Sequence, residues 1–140
     1  MKILMDFGIA ILLFILQSLL QVPIAMIFRD PFSGFSGSNP TLVYEYLIGA
    51  VVIFVISLAF AWLFKTRDKA QALRRAIIWT LTSALLTLVL VIIDAVDAGT
   101  FGWSSLGTMV ANSFGNAGFY LVLLGIFLGP IVFARIKRLP

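Results

Sequence analysis

Four stretches of apolar residues, at 7–28, 42–64, 76–93 and 117–134, are separated by short polar segments, and Glu45 is the only charged side chain among them. A helix of about 20 residues matches the thickness of the hydrocarbon core of a bilayer, so each stretch predicts one membrane-spanning helix. With their flanks the spans run at about 5–28, 42–64, 76–97 and 117–134. The expected fold class is therefore all-α: an integral membrane four-helix bundle of two antiparallel transmembrane hairpins, forming a single transmembrane domain over 1–140.

The connections differ in character. Pro31, Gly34, Gly37 and Pro40 among serines predict an irregular loop between spans one and two. The segment 66–75 is short and basic, and its alanines with Asp68 let the following helix extend past the membrane surface. The segment 98–116 carries Gly99, Gly102, Gly107 and Gly115, yet Leu106, Met109, Val110 and Phe114 recur at helical spacing. An interfacial or partly re-entrant helix near 104–114 is expected there, the alternative being a fourth span that starts near Ser105 and tilts. The first apolar run is longer than a signal-peptide core, and 21–25 lacks a small-x-small cleavage pair, so span one is read as retained.

Composition agrees with this pattern. Hydrophobic residues make up 61% of the chain, mean hydropathy is +1.11 and only 11% of residues are charged, too few to disperse a soluble domain of 140 residues. Cysteine and histidine are absent, which removes disulfides, thiolate chemistry and the commonest metal ligand and proton shuttle. No catalytic residue, cofactor or metal site is assigned.

Charge adds direction. Lys2, Lys65, Arg67, Lys69, Arg74, Arg75, Arg135, Lys137 and Arg138 fall on one side of the threading, and only Arg29 falls on the other. The excess of cations in short loops places both chain ends and the 66–75 connection in the cytoplasm, N-in and C-in, with a bacterial cytoplasmic (inner) membrane as the expected location. The same basic face attracts anionic headgroups of membrane lipids, whereas nucleic acid is excluded as a partner because no folded basic module exists. Aromatic residues fall near the expected boundaries, with Trp62 and Trp79 on the basic side and Tyr44, Tyr46, Trp103 and Tyr120 on the other, as an anchoring belt.

Several residues could carry chemistry. Gln17 and Gln21 share one face of span one, with Ser18 beside them, while Thr80, Ser83 and Thr87 mark a face of span three. Such groups join helices by hydrogen bonds or line a hydrated path. Gly118, Gly125 and Gly129 on span four, a GxxxG among them, and Ala50, Ser57 and Ala61 on span two repeat with the same seven-then-four spacing. These small residues predict close packing of spans two and four in one subunit, or a homo-oligomer contact. Asp30, Glu45, Asp94 and Asp97 map to the outer end; they are boundary charges, or an acidic vestibule that concentrates cations. Asp6 is read as an acid favoured by the positive end of the first helix. Pro23 and Pro130 are candidate kinks or hinges.

Three readings follow: a structural or accessory subunit of a membrane complex, which the lack of deeply buried charge favours; an oligomeric channel or transporter using Gln17, Gln21, Glu45, Asp94 and Asp97; and, least favoured, an intramembrane enzyme built on Asp94 and Asp97. A homo-oligomer or a larger membrane-protein partner is expected in the first two.

Overall fold

A computed structural model describes residues 2–28, 41–97, 107, 108, 110, 111 and 117–139. Four helices dominate it: α1 (Lys2–Phe28), α2 (Thr41–Leu63), α3 (Lys69–Asp97) and α4 (Ala117–Ile136). Residues 107, 108, 110 and 111 are helical too. The remainder of the interfacial helix expected near 104–114 and the loop at 29–40 lie outside the described residues.

In three helices the windows Ile3–Leu20, Lys69–Asp94 and Gly118–Ile136 are long and apolar enough to cross a membrane, and α2 adds a shorter apolar stretch, Leu47–Leu63. Between 22% and 39% of each long window is buried within the protein. The rest presents large apolar side chains outward, Leu4, Leu19, Val51, Val55, Leu81, Leu85 and Leu124 among them. Water penalises such a surface and hydrocarbon does not. This is the surface of an integral membrane protein.

Each helix packs along two others. α4 lies against α2 and α3, α1 lies against the same two, and the α2–α4 pairing is the most extensive. Successive helices α2 and α3 are thus not principal neighbours. The core between the helices joins Ile9, Ala10 and Leu13 of α1, Ile53 and Ala61 of α2, Trp79 of α3, and Val122, Ile126 and Phe133 of α4. Trp79 departs from the belt role read from its position: it is fully buried, while Trp62 on α2 is exposed. Periodicity explains the difference, because Trp79 follows the buried Arg75 by one turn and so faces the interior with it.

The α2–α4 seam is close because its side chains are small. A Cβ at Gly125 would stand 2.8 Å from the Ala50 carbonyl oxygen, and one at Gly129 would stand 2.6 Å from Ser57 Cβ and 2.8 Å from the Leu58 nitrogen. Ser57 donates to the Ile126 carbonyl at 2.8 Å across this seam. Ala61, Gly118 and Pro130 are buried. α1 and α4 run through Pro23 and Pro130 as continuous helices.

Helix ends decide what happens at the basic side. α2 stops in a Schellman turn: Thr66 N–H bonds the Ala61 carbonyl and Lys65 N–H the Trp62 carbonyl, with Lys65 at a φ of 49°. α4 ends the same way, with Leu139 to Ala134, Arg138 to Arg135, and Arg138 at a φ of 51°. α3 then starts at Lys69, about two turns before the span expected from 76. Its cap is explicit, since Asp68 Oδ1 accepts from Gln71 N–H at 2.6 Å and Gln71 Oε1 accepts from Arg67 N–H at 2.8 Å. Those extra turns carry Arg74 and Arg75 as helical residues facing α1.

Candidate functional site

Asp6 is the centre of a buried ionic cluster. It is fully buried in the second turn of α1, which begins at Lys2 with no acid in its first turn. This corrects the helix-end reading of Asp6: its partners are side chains of another helix. Arg74 donates from Nε to Oδ2 at 3.0 Å, with its Nη2 in an ion pair 2.9 Å from the same oxygen, and Arg75 donates from Nε to Oδ1 at 2.9 Å. Arg75 also donates from Nη1 to Thr66 Oγ1 at 2.8 Å, and Thr66 in turn donates to the Ala61 carbonyl at 2.9 Å. One chain of bonds therefore ties α1, the end of α2 and the start of α3 together.

Electrostatics make the cluster costly and specific at once. Asp6 and Arg75 are both 0% exposed, so neither charge is hydrated and each depends on the other. Arg74 keeps 37% of its side chain exposed and carries less of that burden. One carboxylate serves two guanidinium groups, which leaves one positive charge of the trio uncompensated. Arg75 Nη2 is buried without a hydrogen-bond partner among the described residues.

Two cavities open at this end. One, of about 630 Å³, is lined by Lys65, Arg67, Arg74 and Arg75 with Asp68 and Gln71, and by the apolar Met5, Leu63 and Phe64. The other, of about 670 Å³, lies between α3 and α4 beside Lys69, Arg135 and Arg138. Cations from the α2–α3 connection, α3 and the end of α4 thus gather at one end of the molecule.

Of the residues singled out for a polar path, Gln17, Asp94 and Asp97 have described side chains. Gln17 is half-buried, its Oε1 has no partner, and the void beside it is about 20 Å³. Gln21 and Glu45 lie on α1 and α2, and their side chains fall outside the described residues. Asp94 and Asp97 are exposed in the last turns of α3, with no ion-pair partner among the described residues. Asp30 lies outside those residues. On α3, Thr87 donates to the Ser83 carbonyl of its own helix at 2.9 Å, and the buried hydroxyls of Thr80 and Ser83 have no partner, so among the described residues this face makes no hydrogen bond to another helix. Ser18 likewise bonds back to Phe14 at 2.9 Å. No group of three metal-ligating side chains occurs among the described residues.

Sequence reasoning missed Asp6, Thr66, Arg74 and Arg75 as a unit. A signal existed: Asp6 is one of two acids, with Asp68, in flanks of the apolar runs that are otherwise cationic. Comparison with family models, with curated proteins and with solved structures finds no match.

Proposed function

We propose that this chain is a four-span membrane bundle that serves as a packing or assembly subunit of a larger membrane complex. The start of α1, the 64–68 connection and the end of α4 face the cytoplasm in this reading, and a bacterial inner membrane is the proposed location. The supporting observation is the interior. Beside Gln17 there is a void of about 20 Å³, room for about one water and not for a hydrated ion or solute. The seam of Gly125, Gly129 and Ser57 is in direct contact. The outward faces, by contrast, are broad and apolar, and are available to lipid or to another helix.

A pull-down from native membranes in mild detergent tests this reading. A defined larger partner, or a defined homo-oligomer, is the expected result; a stable lone monomer overturns it. An oligomeric channel is the second reading, favoured by Asp94 and Asp97, which are exposed and have no ion-pair partner among the described residues, at the end of α3 away from Arg74 and Arg75. Ion or solute flux through reconstituted liposomes that falls in Asp94→Asn would establish it in place of the first.

A further inference from the structure

We infer that the cavity beside the α2–α3 connection is a binding site for a phosphate group, the oxyanion carried by an anionic phospholipid headgroup or by free phosphate. Three independent observations converge there. Lys65, Arg67, Arg74 and Arg75 all line the same cavity of about 630 Å³. Among the described residues, Asp68 on the wall and Asp6 behind it stand against these four cations, an excess of two positive charges. The carboxylates are also committed: both Asp6 oxygens bind arginine, and Asp68 Oδ1 caps α3.

The second observation is Arg75 itself. Its side chain is 0% exposed and lines the cavity, and its Nη2 has no hydrogen-bond partner among the described residues. A buried guanidinium donor without an acceptor is unfavourable, and a small shift of the cavity wall that admits a phosphate oxygen would supply the acceptor whose geometry suits it. The third is the composition of the wall. Met5, Leu63 and Phe64 border the cations, so one side accepts charge and the other accepts hydrocarbon, as the boundary region of a phospholipid presents them. The cavity beside Arg135 and Arg138 has no such buried, unpartnered arginine.

This site does not depend on the accessory role proposed above; it requires only that the basic end lies at a water boundary. Diffuse attraction of basic residues to an anionic surface is the competing explanation, and it involves every cation at this end alike. The test therefore compares two double variants of the full chain. Lys65→Gln with Arg67→Gln removes exposed cations of the cavity without touching the buried cluster, and Arg135→Gln with Lys137→Gln removes two cations elsewhere at the same end.

Purified protein is titrated with phosphatidylglycerol, phosphatidylcholine or inorganic phosphate, and both thermal stability and the number of lipids retained in native mass spectrometry are read. The expected result is a saturable rise in melting temperature with one phosphate-bearing molecule per chain, weakened on the order of tenfold by the first double variant and unchanged by the second. Saturation by phosphatidylglycerol alone assigns the lipid headgroup, and saturation by inorganic phosphate assigns a soluble source. Equal response to phosphatidylcholine, equal loss in both double variants, or no saturation in any titration overturns the proposal.

Discussion

Arg75 donates its Nε proton to Asp6 Oδ1 at 2.9 Å across 69 positions of sequence, and neither side chain is exposed. The pair holds the start of α1 against the start of α3, and through Thr66 it also holds the end of α2. Three helices thereby meet in fixed register at the basic end.

The energetic consequence is asymmetric. Asp6→Ala leaves a buried arginine uncompensated and is expected to destabilise the protein by about 3 to 5 kcal/mol. Arg74→Gln, at a half-exposed partner, is expected to cost about 1 kcal/mol or less. Unfolding of the purified variants in a detergent titration measures both, and equal losses would refute the ranking.

The α2–α4 seam responds to volume. Gly129→Ala places a methyl group against Ser57 and the Leu58 nitrogen, where overpacking costs about 1 to 3 kcal/mol. Ser57→Gly removes the side-chain half of that clash, though also its hydrogen bond to Ile126. A double-mutant cycle is expected to give a coupling above about 0.5 kcal/mol, with the pair more stable than the sum of the single losses predicts.

Arg138 occupies a left-handed backbone conformation with a φ of 51°, which disfavours residues with a Cβ by about 1 to 2 kcal/mol. Glycine relieves this but loses more freedom on folding, so Arg138→Gly is expected to raise stability by up to about 1 kcal/mol. A fall in stability would mean that the side chain makes a contact outweighing the strain.

Threading is testable without background, since the chain has no cysteine. A membrane-impermeant maleimide added to intact cells should label Asn39→Cys and leave Lys69→Cys unlabelled until the cells are opened. Labelling of both from the same side overturns the N-in, C-in arrangement.

Much of this architecture is legible along the chain. Apolar runs of spanning length mark α1, α3 and α4 because the bilayer imposes a minimum length on any helix that crosses it. The connection before α3 was harder to place. Its start moved to Lys69 through two hydrogen bonds around Asp68 and Gln71, which residue type hints at and geometry decides. Trp79 shows the limit of position alone: it lies one turn from Arg75 at the basic end, yet the face it occupies depends on its neighbours.

The sequence by itself determined helices, their approximate lengths and the separation of Arg74 and Arg75 from Asp94 and Asp97 along α3, because these follow from local composition and from the free energy of placing charge in lipid. Only the tertiary structure decided that Asp6 belongs to Arg74 and Arg75, that Trp79 is buried, and that Lys65 and Arg67 share one cavity with those arginines. Such pairings depend on the rotation of each helix about its axis and on which helices are neighbours, and both are set by contacts between residues far apart in the chain.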